Sequence, residues 1–297
     1  MVVVGHLDID DRSASDAVLY ACGVPVTPTE QRIDVQDSAS QMPSGTQAIG
    51  RALMILRLLA DEAAELSASA IAEKLELSVG TTSRILRALH MDGLLALNPV
   101  TGAYLLGNGA ILLGQAAQRV FGLDRALPLL EQINADTQES VNLTVRQGRE
   151  SVVMLRVQST LPLRFEQHPG ARFPLYTTAS GKAILAFSDD RDEYVRSLPE
   201  ELPQLTPNTL RRPQQLADQL GEIGQRGYSI DAEENVAGVQ CVGAPVVDAE
   251  MHAQAALVIQ VPTVRMPPER VRELGELATR TAKEVARLVP VHRPLSL

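Results

Sequence analysis

Residues 67–91, SASAIAEKLELSVGTTSRILRALHM, restrict what this chain can fold into more than any other stretch. Two short amphipathic segments flank a tight break at Leu77-Ser78, and the second is cationic and rich in hydroxyls. That order suits a helix-turn-helix, in which one helix braces and the next lies in the DNA major groove. In the first segment Ile71 and Leu75 share a face, Ala70 and Ala72 allow close packing, and Ser69 is the expected N-cap. In the second, Ser78 is the expected cap, and Val79, Thr82, Leu86 and Leu89 recur at helical spacing toward a core. The opposite face carries the candidate DNA contacts Gly80, Thr81, Ser83, Arg84 and Arg87. Hydroxyls at a helix start reach phosphates or base edges, and an arginine can bond two guanine acceptors at once. No acid occurs from Leu77 to Met91. A helical hairpin with a solvated polar face would carry the same residues, so the flanks decide.

Upstream, Ile49, Leu53, Leu56 and Leu59 recur at helical spacing, a first helix able to cover the other two. Downstream, Gly93 ends the second helix as a C-terminal glycine does, and LLALNPVTGAYLLG reads as two strands about an NPVTG turn. Helices followed by a hairpin make a winged helix-turn-helix over 46–107. Residues 108–121 are then expected to form a linker helix. Its Ile111, Leu112 and Leu113 form an apolar patch for a twin in a dimer, or for the chain's own wing.

The run TQAIGRAL, then LSASAIAEKLELSVGTTSRILRALHMDGLL, then TGAYLLG resembles the DNA-binding half of the IclR-type regulators. HPGARFPLYTTASGKAILAF, RGYSIDAEENVAGVQCVGAPVVD and AALVIQVP resemble that family's effector domain. The likeness covers roughly residues 45 to 290, with its blocks in the right order.

From Asp124 the residues themselves read as helix, hairpin, strand, helices, two long strands, helix. Leu127, Leu130, Ile133 and Thr137 form a helical stripe, and VNLTVRQ and SVVMLRV alternate across a turn at Gly148. LPLRFEQ, 161–167, reads as a third strand. VQCVGAPVV and AQAALVIQV flank the turn DAEMH as the middle of an antiparallel sheet. The last helix opens with proline and keeps a stripe through Val271, Leu274, Leu277, Thr281, Val285 and Leu288. The fold class is α+β. For 122–291 the resemblance implies a GAF-like (profilin-like) effector domain.

Thr177-Thr178-Ala179-Ser180-Gly181-Lys182 opens the helix GKAILAF. Small residues there leave N–H groups free at the positive end of the helix dipole, a natural carboxylate site. Ala179, Ser180 and Gly181 are therefore candidate effector contacts, and the resemblance places Asp231, Val239, Cys241, Val258 and Gln260 opposite them. Some relatives carry small hydroxyls at the last two positions, so Val258 and Gln260 imply a bulkier or less acidic ligand. Plainer readings exist for each: Ser180 as an N-cap, Cys241 as a small core hydrophobe. Asp231, Glu233 and Glu234 form an acidic run of the kind usually solvated, with Asp231 expected to turn inward. Lys182 reads as a structural or surface lysine, since a phosphate loop needs glycine at Tyr176 and Ser or Thr at Ala183.

Composition weighs against other classes. Cys22 and Cys241 make no disulfide framework, which fits a reducing cytoplasm. Nothing approaches an apolar membrane span, and MVVVG lacks the basic start of a secretory signal. The absence of Trp and 3% aromatics leave no stacking platform for single strands. His6, His90, His168, His252 and His292 are scattered, so neither metal nor cofactor is expected. A Cys241–His168 or Cys241–His252 dyad lacks an orienting third residue. The net charge of −9 opposes a polyanionic partner until its distribution is read. Residues 1–41 hold seven acids against two bases, and 46–107 hold six against five. The positive field is thus local to the second helix, and useful affinity calls for paired domains on a palindromic duplex site. Residues 1–45 read as a disordered tail, with Met42 as an alternative start to Met1, and 292–297 as a second tail.

These features predict a cytoplasmic, sequence-specific DNA-binding regulator, a repressor before an activator, and no enzyme. A homodimer or dimer of dimers would have its operator affinity set by a small organic acid, with the linker transmitting the change. A ligand-free DNA-binding oligomer and a Cys-dependent hydrolase are the alternatives.

Overall fold

A computed structural model describes residues 46–62 and 64–289 in two compact units, divided in sequence between Val120 and Phe121. The expected tails at 1–45 and 292–297, and the choice between Met1 and Met42, lie outside the described residues.

In the N-terminal unit, α1 (Gln47–Glu62), α2 (Ala68–Lys74) and α3 (Val79–Met91) enclose Ile55, Leu59, Ile71, Leu86, Leu89 and Leu95. Ser78 caps α3, its side chain accepting the Thr81 N–H. The cap of α2 is Ser67 rather than Ser69, because Ser67 is the extended residue whose Oγ accepts the Ala70 N–H at 3.2 Å. Two expected core positions of α1, Ile49 and Leu53, are 61% and 41% exposed. The apolar arc of α1 is broader than the face its neighbours cover, which centres on Ile55 and Leu59. Val79 is likewise 57% exposed, in the first turn of α3 outside the packed stripe of Thr82, Leu86 and Leu89.

The wing pairs β1 (Leu95–Leu97) with β2 (Tyr104–Leu106), and a bridge from Leu66 to Tyr104 widens it. The Glu65 carboxylate organises the turn, accepting from Asn98 Nδ2 and Thr101 Oγ1. Helix α4 (Asn108–Val120) starts against this hairpin, where the Gly109 N–H donates to Gly93 O at 2.9 Å. A Cβ on Gly109 would lie 2.9 Å from the same oxygen, so only glycine fits. Beyond that turn every residue from Ile111 to Val120 is exposed.

The C-terminal unit contains α5 (Leu123–Thr137), β3 (Ser140–Gln147), β4 (Glu150–Val157), β5 (Arg172–Pro174), α6 (Ala179–Ala186), α7 (Arg191–Arg196) and α8 (Pro213–Arg226). It ends with β6 (Ser229–Ala232), β7 (Val239–Val247), β8 (Ala253–Pro262) and α9 (Pro268–Leu288). The strands form one antiparallel sheet in the order β5-β4-β3-β8-β7-β6. Alternation gives each strand two faces. On one, Val141, Leu143, Val242, Leu257 and Ile259 join Leu130 and Ile133 of α5 and Leu274, Ala278 and Val285 of α9 in the main core. The other face presents Asn142, Val258, Cys241 and Asp231 beneath α6.

Residues 161–167 do not form the expected strand. Pro162 has no N–H for a ladder, and the carbonyls of Leu163 and Phe165 accept from Arg265 and Arg156 instead. The third strand is β5, paired with β4. Among the described residues no helix is long and apolar enough to cross a membrane, and no acid, His or Cys cluster is arranged to hold a metal.

Candidate functional site

All five candidate DNA contacts lie off the packed stripe of α3. Gly80, Arg84 and Arg87 are exposed, while Thr81 and Ser83 are half-buried. The Thr81 hydroxyl is drawn into the cap, accepting from Ser78 Oγ at 2.9 Å. Among the described residues Arg84 and Arg87 have no ion pair or hydrogen bond, so that face of α3 is bare and basic.

In the C-terminal unit, strand register assembles the covered face of the sheet into rows. Ser140, Gln260, Cys241 and Asp231 pair across β3, β8, β7 and β6. The next row is Arg156, Asn142, Val258, Gly243 and Ser229. Gly243 admits the start of α6, since a Cβ there would meet Ala179 O at 2.8 Å, and Ser229 Oγ donates to that oxygen at 2.5 Å. Thr178 caps α6 by accepting the Gly181 N–H at 3.1 Å. The N–H groups of Ala179 and Ser180 remain as first-turn donors.

Between these rows and α6 lies a small cavity, part of it open to solvent. Ala179, Ser180, Asp231, Val239, Cys241, Val258 and Gln260 line it. Gly181, expected beside them, does not: it packs on Leu175, whose carbonyl oxygen would lie 2.2 Å from a Cβ. The lining also includes Asn142, Thr144 and Val153 from β3 and β4, Gln167 and Phe173 from the following loop and strand, and Asn235 and Val236 after β6. Sequence reasoning passed these over, because a strand's alternation does not say which of its inward residues meets a cavity.

Asp231 is 3% exposed, and its Oδ1 accepts the Glu234 N–H at 2.7 Å and the Asn235 N–H at 3.4 Å. Burial pushes its carboxyl up to about 7; Glu234 adds to the rise and Lys182 opposes it. Burial, with Asp231 alongside, also drives the Cys241 thiol well above its ordinary value. A neutral buried thiol is a poor nucleophile. His252, one of its two suggested partners, pairs with Asp189 at 2.8 Å in the turn at the far end of β7.

Lys182 is wholly buried rather than at the surface, donating to Glu234 Oε1 at 2.6 Å and Gln219 Oε1 at 2.8 Å. Glu234 accordingly leaves the solvated run in which it was expected. Arg156 is the cavity's charged neighbour that sequence reasoning missed. Its Nη1 donates to Gln260 Oε1 at 3.0 Å and to Asn142 Oδ1 and Gln167 Oε1 at 3.1 Å. Burial lowers its pKa to about 10, which leaves it charged. Spacing alone hid it: a bulge at Met154 shifts the alternation of β4, so Arg156 and Val153 share a side that strict alternation would deny them.

Residues 116–287 match the family described as bacterial transcriptional regulator IclR C-terminal, and 48–99 match the IclR helix-turn-helix domain. The HTH-type transcriptional regulator BhcR of Paracoccus denitrificans is 32% identical over 82% of this chain and 87% of its own. The acetate operon repressor of Salmonella typhimurium is 30% identical over 80% of this chain and 88% of its own. The crystal structure of the Thermotoga maritima IclR superposes with a TM-score of 0.69 at 31% identity, covering 82% and 98% of the two chains. Fold, paired domains and sequence agree that this chain, a regulator and not an enzyme, belongs to the IclR family of bacterial transcriptional regulators.

Proposed function

We propose that the protein is a cytoplasmic repressor that binds a palindromic operator as a homodimer or dimer of dimers, and that a small organic acid in the C-terminal cavity sets its operator affinity. The cavity carries this reading. It offers the Ala179 and Ser180 N–H groups at a helix start, a natural seat for a carboxylate, against an apolar wall of Val239, Cys241 and Val258. On the DNA side, the bare face of α3 supplies Gly80, Thr81, Ser83, Arg84 and Arg87. The exposed Ile111, Leu112 and Leu113 of α4 suit a second copy of the chain. The Salmonella relative is named as a repressor, which supports the direction of control.

Effector and operator are reciprocally linked: an acid that weakens operator binding must bind less well to the DNA-bound protein. Fluorescence anisotropy on DNA from around the protein's own gene, at fixed salt, tests the reading. Tight binding to one fragment, relieved by at least one organic acid, is the expected outcome. Specific binding that no acid alters, with no heat of acid binding in calorimetry, would leave a ligand-free DNA-binding oligomer.

A further inference from the structure

The amides around Arg156 give the cavity a second polar end. A guanidinium carries only donors, so every amide touching it must present its oxygen. Asn142, Gln167 and Gln260 all do so, and their NH₂ groups are therefore turned away from Arg156. Asn142 gives its NH₂ to Gln167 Oε1 at 3.0 Å. Gln167 Nε2 meets no acceptor among the described residues. Gln260, 8% exposed, is the ladder partner of Cys241, and its Nε2 donates to no oxygen or nitrogen among the described residues. Both glutamines line the cavity, so they face it as donors.

The charge behind them is one-sided. The other contacts of Arg156 are Ser140 Oγ, Gln158 Oε1 and the Phe165 carbonyl, all neutral. No carboxylate hydrogen-bonds to it among the described residues. Glu166 acts on it from a distance, but is exposed and pairs with Arg164 at 2.8 Å. A half-buried cation with only neutral partners favours an anion nearby. The start of α6 packs on Gly243 of β7, one strand away from Gln260 on β8, so a short carbon chain can bridge the two polar ends.

We propose that the cavity takes a dicarboxylate, with one carboxylate at the start of α6 and the other against the Gln167 and Gln260 amides. Arg156 is the positioning residue that holds those amides donor-first. This rests on the effector reading above and names its ligand class. It also reverses the less acidic ligand that Gln260 implies from sequence, because an amide whose oxygen is engaged acts as a donor.

Calorimetry on the full-length protein tests it with succinate and glutarate against butyrate and valerate, and terephthalate against 4-methylbenzoate. Within at least one pair the diacid should bind about tenfold or more tightly. Gln260→Leu should erase that advantage, so that diacid and monoacid bind alike, and Arg156→Met should do the same. Should Arg156→Met fail to fold in a thermal melt, Gln260→Leu carries the test. Equal wild-type affinity for diacid and monoacid overturns the dicarboxylate proposal and leaves the carboxylate reading intact. Silence from every acid overturns both.

Discussion

The Lys182 ammonium lies 2.6 Å from Glu234 Oε1, with both side chains closed off from solvent. With Gln219 they tie α6, α8 and the loop after β6 together at one buried charge. Removing one member of a buried pair strands the other, at a cost of roughly 3–5 kcal/mol. Lys182→Met should lose about that much in urea denaturation, and Lys182→Met with Glu234→Leu should recover a good part of it. A double variant no more stable than the single one would contradict this account.

Asp231 supplies a pH test. Its folded-state value of about 7 lies above the ordinary 3.8, so folding favours the protonated form. Its contribution is full below pH 3.8 and is lost as pH rises toward about 7. Asp231→Asn should flatten the decline of the melting temperature over that window. An unchanged slope would mean that another group titrates there.

On α3, Arg84→Ala should cost about 1–3 kcal/mol of operator affinity and relax preference at one base pair if the side chain reads a base. If it binds phosphate, the loss should be uniform across sequences and the salt slope shallower by about one. Arg87→Ala is read the same way. Unaltered binding in both variants removes α3 as the reading element.

Gly243→Ala places a Cβ 2.8 Å from Ala179 O and 2.9 Å from Ser229 Oγ. The start of α6 must lift from the sheet, at a cost of roughly 1–3 kcal/mol. Thermal melts should show the loss, and calorimetry should show weakened carboxylate binding. Full affinity in this variant would separate the start of α6 from ligand binding.

Local periodicity reached much of the fold, though it misplaced the α2 cap and overextended the buried faces of α1 and α3. The Ser78 cap, the hairpin at Gly148 and the long pair β7 and β8 all follow from spacing within a few residues. Features set by distant partners escaped it. Residues 161–167 alternate like a strand, yet their carbonyls answer Arg265, some hundred residues away, and Arg156. Lys182 reads equally as structural or surface until Glu234, 52 residues later, is found beside it. The cavity row takes one residue from each of four strands, so only family likeness could gather Asp231, Cys241 and Gln260. Arg156 lay outside even that likeness.

The row from Ser140 to Asp231 has a consequence for how such receptors diverge. Neighbouring residues of a strand face opposite ways, so gaining or losing one residue in β6, β7 or β8 would swap its lining for its hidden side. Ancestral and sister proteins that differ in appetite should therefore keep their strand lengths and vary by exchange at these positions.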